Sequence, residues 1–178
     1  MIFGDPYKFA IQVDFVDAWN IDITDEGVFN FFVNGYYQPN VLTNQSLTIL
    51  TCFDWLNSRY FYLKTKNIYP QLYNKNPEEL YDYMNQSLNK IVQDESDNSE
   101  IEERLINHSW LGIPEITHNN NYWWLFYSEN DEKIFFLDNT DKPSSIILEK
   151  GYSCKIINQA LLWAKEHYIN EDRFTGIT

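Results

Sequence analysis

Two short stretches near the start of the chain restrict its fold more than any other feature. Between Tyr7 and Asp17, Phe9, Ile11, Val13 and Phe15 alternate with Lys8, Gln12 and Asp14. A period of two is that of a strand with one buried face. The second stretch, Val28 to Val33, runs into Asn34-Gly35, the residue pair that most readily adopts the two positive φ angles of a type I′ hairpin turn. Together they require an antiparallel meander. A turn precedes the first strand for local reasons: Gly4 permits unusual dihedrals, Asp5 accepts from nearby backbone N–H groups, and Pro6 fixes its own φ.

Helical spacing takes over further along. The stretch around Ser46, Leu50 and Phe53 mixes β-branched residues with a weak helical period and admits either assignment. From Pro77 to Val92 the signal is cleaner. Asn76 is placed to cap, Pro77 suits the first turn, Glu78 and Glu79 favour its positive end, and Leu80, Tyr81, Met84, Leu88 and Ile91 form an apolar stripe. Gln93 to Glu103 is acidic and poor in apolar residues, and reads as a solvated loop entering a short helix that ends near Trp110 and Gly112. Two aromatic runs between Tyr122 and Leu137 flank Ser128 to Lys133, the pattern of a hairpin with an acidic tip, and a short strand follows around Ile146 to Leu148. Ser153 is placed to cap a last helix through Tyr168, with Ile156, Ile157, Ala160, Leu161 and Ala164 on its apolar side. These elements predict an α+β fold: an antiparallel sheet, made of the N-terminal meander and the later hairpin, packed against a few helices in a single domain spanning residues 1–178.

Composition narrows the function. The chain is 44% hydrophobic and 17% aromatic, enough to build a core without help from a partner. Its 13 basic and 26 acidic side chains leave a net charge of −13, which repels nucleic acid and anionic lipid and attracts basic surfaces. Asp5 and Lys8 interrupt any secretory leader, and runs such as Tyr60–Leu63 and Ile134–Leu137 are far shorter than the roughly 20 apolar residues that span a bilayer. The expectation is a cytoplasmic protein that binds neither membrane nor nucleic acid. Cys52 and Cys154 match no metal or redox spacing and read as two reduced packing residues.

Catalytic signatures are missing. The sequence holds no phosphate-binding glycine loop, no nucleophile elbow and no zinc-protease helix. His108, His118 and Glu115 are chemically suited to zinc, but their spacing follows no standard ligand pattern. A cysteine–histidine nucleophile pair would need a spatial adjacency that spacing does not supply. The adjacent carboxylates Glu78-Glu79 and Glu102-Glu103 diverge on a helix and do not face each other across a cleft. Trp123-Trp124 offers rings for stacking on a sugar, although neighbours in a strand point to opposite faces, so core burial of one side is the simpler use. The expectation is no enzyme and no cofactor. A carboxylate- or metal-dependent accessory hydrolase and an aromatic carbohydrate-binding module stay as the alternatives.

The quoted segments MIFGDPYKFAIQVDFVDAWN, GVFNFFVNGYYQP and IYPQLYNKNPEELYDYMN together resemble the immunity protein 42 family of bacterial polymorphic toxin and contact-dependent inhibition systems. The resemblance is densest over the first forty or so residues, and 93–118 looks like an acidic insertion relative to the family pattern. It implies a cytoplasmic protein that binds and neutralises a cognate toxin domain and carries no catalytic motif. A toxin that cleaves nucleic acid presents Lys and Arg to phosphate, and an acidic binder complements such a surface and accelerates encounter. Two acidic clusters are the candidate partner-binding residues: Asp94, Glu95, Asp97, Glu100, Glu102 and Glu103 in the loop and helix start, and Glu129, Asp131 and Glu132 at the hairpin tip. The competing reading is that both only keep an aromatic-rich chain soluble. Tyr36, Tyr37 and Trp123 are the next candidates if neither cluster meets the partner.

Overall fold

The computed structural model describes residues 1–16, 26–38, 47–93, 99–114 and 122–167. The parts of the sequence reading that involve Asp17, Ser46, Asp94, Glu95, Asp97, Glu115, His118 and Tyr168 lie outside them. The fold is α+β, with two antiparallel sheets and five helices among the described residues.

The first sheet is the expected meander extended to five strands. β1 (Ile2–Asp5), β2 (Phe9–Phe15), β3 (Glu26–Val33) and β4 (Tyr36–Gln38) lie side by side in chain order, and the short β5 (Leu47–Thr48) pairs with the start of β3. Sequence reading placed only a turn before β2. Ile2 to Asp5 nonetheless pairs with Phe9 to Gln12, and the Gly4-Asp5-Pro6 segment is the close of a strand as well as the start of a turn. The Asp5 side chain accepts from the Tyr7 N–H at 2.9 Å, and Gly4 is held at φ +91° where an added Cβ would lie 2.5 Å from the Phe9 carbonyl oxygen. Only glycine fits there. At the next hairpin Asn34 and Gly35 both have positive φ, 52° and 81°, and connect Val33 directly to its partner Tyr36, as a primed turn requires.

The ambiguous stretch after β5 is helical: α1 (Ile49–Leu63) starts at Thr48. α2 (Pro70–Tyr73) is a single turn, α3 spans Pro77–Gln93, and α4 spans Ser99–Ser109. Asn76 caps α3 as anticipated, its side-chain oxygen accepting the Glu79 N–H at 2.9 Å. The second sheet joins β6 (Trp124–Tyr127), β7 (Asp131–Leu137) and β8 (Pro143–Glu149), and α5 (Tyr152–His167) closes the described chain. Among the described residues no helix is long and apolar enough to cross a membrane.

Two hydrophobic cores share the second sheet as a wall. On one side Leu125, Tyr127, Ile134 and Phe136, with Trp123 just before β6, meet Phe9, Ile11, Val13, Phe29 and Phe31 of the first sheet and the apolar faces of α1 and α5. On the other side Trp124, Phe126 and Phe135 meet Leu72, Leu80, Met84, Leu105 and Ile106 from α2, α3 and α4. Strand parity produces this division, because successive side chains leave a strand in opposite directions. The expectation that the Trp pair buries one member is therefore corrected: Trp123 and Trp124 are both buried, one in each core.

Candidate functional site

The hairpin tip is narrower than its sequence implied. β6 ends at Tyr127 and β7 begins at Asp131, leaving Ser128, Glu129 and Asn130 as the turn. Ser128 organises it, donating its N–H to the Asp131 carbonyl at 2.9 Å and accepting the Asp131 N–H on its hydroxyl at 2.9 Å. Glu129 is exposed and Asp131 half-buried. The Lys150 ammonium sits against this turn, donating to the Ser128 and Glu129 carbonyls at 2.8 and 3.2 Å, so the tip is less acidic than its sequence.

Glu132 does not belong to this surface. It is 0% exposed, because it lies two residues before Ile134 and four before Phe136 and shares their inward face. Its carboxylate accepts the Gly151 N–H at 2.7 Å, the Ser153 N–H at 2.7 Å and the Ser153 hydroxyl at 2.5 Å. A carboxylate from β7 thus caps α5, and Ser153, expected to be the cap, is a donor in the first turn. Burial pushes the Glu132 carboxyl above the usual range, while the Ser153 and Gly151 donors and the nearby Lys66 ammonium oppose that rise. Next to it the Tyr127 hydroxyl donates to the Leu63 carbonyl at 3.1 Å and lies 3.3 Å from the Cys154 thiol. Burial raises the pKa values of both the phenol and the thiol, so this polar group joins α1, β6 and α5 and holds no thiolate nucleophile. Cys52 and Cys154 are both buried, and neither forms a disulfide.

Of the other acidic cluster, Glu100, Glu102 and Glu103 lie on α4. Glu100 and Glu103 are exposed, and Glu102 lies between them in the helix. The inward side of the same helix is apolar, with Leu105 and Ile106 in the second core. Among the described residues neither Glu100 nor Glu103 forms an ion pair. His108 is engaged structurally: its Nδ1 lies 3.0 Å from the Thr65 hydroxyl and its ring stacks edge-on with Tyr62. No group of three potential metal ligands comes together among the described residues.

Sequence reading missed the groove beside these carboxylates. The chain from Asn67 to Tyr69, α2, α3 and α4 enclose an open groove of about 540 Å³. Ile68, Tyr69, Leu72 and Tyr83 line it together with the polar Asn67 and Gln71 and, from α4, Glu100 and Arg104. Tyr83 is 41% and Ile68 44% exposed, whereas Tyr69 is braced edge-on against Phe126 of β6. One sequence signal for the groove existed: Tyr83 falls off the apolar stripe of α3, and an aromatic outside the stripe has to meet solvent or a partner. Tyr36 and Tyr37, the other aromatic candidates, are half-buried on β4. The burial of Trp123 and Trp124 removes the sugar-stacking platform.

The crystal structure of CdiI from Burkholderia dolosa AUO158 has this fold: the two superpose with a TM-score of 0.70 over 92% of this chain and 99% of that one, at 17% identity. No curated protein gives a significant match. The sequence profile of the family described as immunity protein 42 matches residues 1–163, a span that takes in both sheets, both cores and most of α5. The chain therefore belongs to the immunity protein 42 family: it is an immunity protein of a toxin system, a non-enzymatic protein whose partner is a cognate toxin.

Proposed function

We propose that this immunity protein works in the cytoplasm and neutralises a cationic toxin domain, a nuclease, by laying an acidic face over its active site or an adjoining surface. The observation that carries the reading is the pair Glu100 and Glu103, exposed on α4 with no cation in ion-pair reach among the described residues. Asp94, Glu95, Asp97 and Glu102 extend this cluster in sequence, and Glu129 and Asp131 supply a second, weaker one. The net charge of −13 supports steering of a basic partner and disfavours competition from nucleic acid, which shares the sign. A carboxylate surface that takes the place of phosphate on a nuclease acts mainly on encounter.

The test is stopped-flow association with the cognate toxin domain, at low and moderate salt. Glu100→Gln with Glu103→Gln is expected to slow association by about three- to tenfold and to flatten its salt dependence, leaving thermal stability unchanged. Glu129→Gln with Asp131→Asn is expected to do less, because Lys150 already offsets that turn. Wild-type rates with wild-type salt dependence in both double variants would remove the acidic face from the mechanism.

A further inference from the structure

Arg59 occupies a core position of α1. It stands three residues after Leu56 and four before Leu63 in the buried stripe of that helix and is 8% exposed. Among the described residues no carboxylate lies in ion-pair reach of it, although a buried arginine is normally paired. Shortage of acids is not the reason. The chain has 26 acidic side chains to 13 basic ones, and the exposed Glu103 lies one helical turn from Asn107, the residue that Arg59 does reach. Burial pulls the Arg59 pKa down, and among the described residues the Tyr62 phenol is the group that opposes the fall. The guanidinium lies over two rings, 4.9 Å from the centre of Trp110 and 5.6 Å from that of Tyr62. Such rings attract the flat faces of a guanidinium and leave its edge N–H groups in need of acceptors. One acceptor is present: Nη1 donates to the Asn107 Oδ1 at 3.4 Å, beyond the usual range of such bonds. Nε is sealed from solvent with no acceptor, and so is the indole Nε1 of Trp110 beside it. The corner where α1 meets the end of α4 therefore holds a positive charge and two unanswered donors, and lacks an anion.

We propose that this corner accepts a carboxylate, the side chain of an Asp or Glu of the cognate toxin, and that Arg59 is a specificity contact of the complex. A planar carboxylate matches the donor fork of a guanidinium, and the part of Arg59 still exposed is where it enters. The unpaired charge is a cost to the free chain that the complex relieves. An acidic face attracts any basic protein, whereas a cation that only an acid satisfies separates the cognate toxin from the rest. Arg, Trp and Tyr are also the residue types that carry most of the energy of interfaces. The inference needs only the toxin partner of the family and stands apart from the reading of that toxin as cationic.

The experiment pairs chemical denaturation of the free chain with calorimetric titration of the cognate toxin domain, for Arg59→Met and Asn107→Asp. Arg59→Met keeps the length and removes the charge. Its denaturation midpoint is expected at or above that of wild type, because a buried unpaired charge is gone, while its affinity for the toxin falls about tenfold or more. Asn107→Asp supplies the missing carboxylate from within the chain. It is expected to raise the midpoint and to weaken toxin binding about fivefold or more, although a further negative charge would by steering alone favour a basic toxin. That opposite sign separates this contact from the acidic face. Should Arg59→Met fail to fold, Asn107→Asp decides by itself. Affinity within about twofold of wild type in the folded variants, or tighter binding by Asn107→Asp, would overturn the contact and leave the proposed function standing. Stabilisation of the wild type by inorganic phosphate that is lost in Arg59→Met, with toxin affinity unchanged, would assign the corner to a free anion and also overturn it.

Discussion

The two sheets of this molecule bury their strands in different ways. In the first, β3 alternates between buried and half-buried residues along its whole length, since only one face is covered by α1, α5 and the second sheet. In the second, all four residues of β6 are buried, because the first sheet with α1 and α5 covers one face and α2, α3 and α4 cover the other. A one-sided sheet displays its period in the sequence, whereas a two-sided one reads as a continuous apolar run. The same difference decides what a single substitution does, since a half-covered strand tolerates change on alternate residues and a fully covered strand does not.

The largest effects should expose that contrast directly. Trp123→Ala and Trp124→Ala are each expected to cost about 3–5 kcal/mol, because each empties a large site in a different core. The neighbours Phe31 and Phe32 of β3 should behave unequally: about 3–5 kcal/mol for the buried Phe31, and about 1 kcal/mol for the half-buried Phe32. Chemical denaturation of the four variants checks the pattern, and a mild Trp124→Ala would mean that the helical layer contributes little to the second core.

A smaller effect concerns the link between the second sheet and α5. Glu132→Ala should cost about 2–3 kcal/mol, since it leaves the Gly151 and Ser153 N–H groups without their acceptor at the start of α5. Its pH dependence has a definite sign. With the folded pKa raised above the ordinary 4.5, the contribution of this carboxyl is fully present below that value and is lost as pH rises through the folded one. The Tm difference between wild type and Glu132→Gln should therefore fall on going from about pH 4 to about pH 7. A difference that grows with pH would show that the three donors outweigh burial.

The smallest change lies at the rim of the one-sided sheet. Gly35→Ala places a Cβ on a residue held at φ +81° and should cost about 1 kcal/mol, without disturbing either core. Thermal melts and retained toxin binding are the checks. A cost near that of the Trp variants would mean that the Asn34-Gly35 turn sets the register of the whole sheet.

Where structure follows from neighbours in the chain, the sequence alone was sufficient. Alternation from Phe9 to Phe15, the Asn34-Gly35 turn, the Asn76 cap and the stripe of α5 are each local, and each is found where its residues placed it. The family was legible too, because the segments GDPYKFAI and FFVNG encode such local features in order. What the tertiary structure decided depends on which surfaces meet. Glu132 has the same type of side chain as Glu129, and only the packing of the inner face of β7 against the N-terminus of α5 turns one into a buried cap and leaves the other in water. Likewise Glu100, Tyr83 and Tyr69 are distant in sequence, and it is the packing of α3 and α4 beside α2 that brings them to one groove. Local periodicity specifies the directions in which side chains leave the backbone; what covers each direction is set by contacts between elements far apart in the chain.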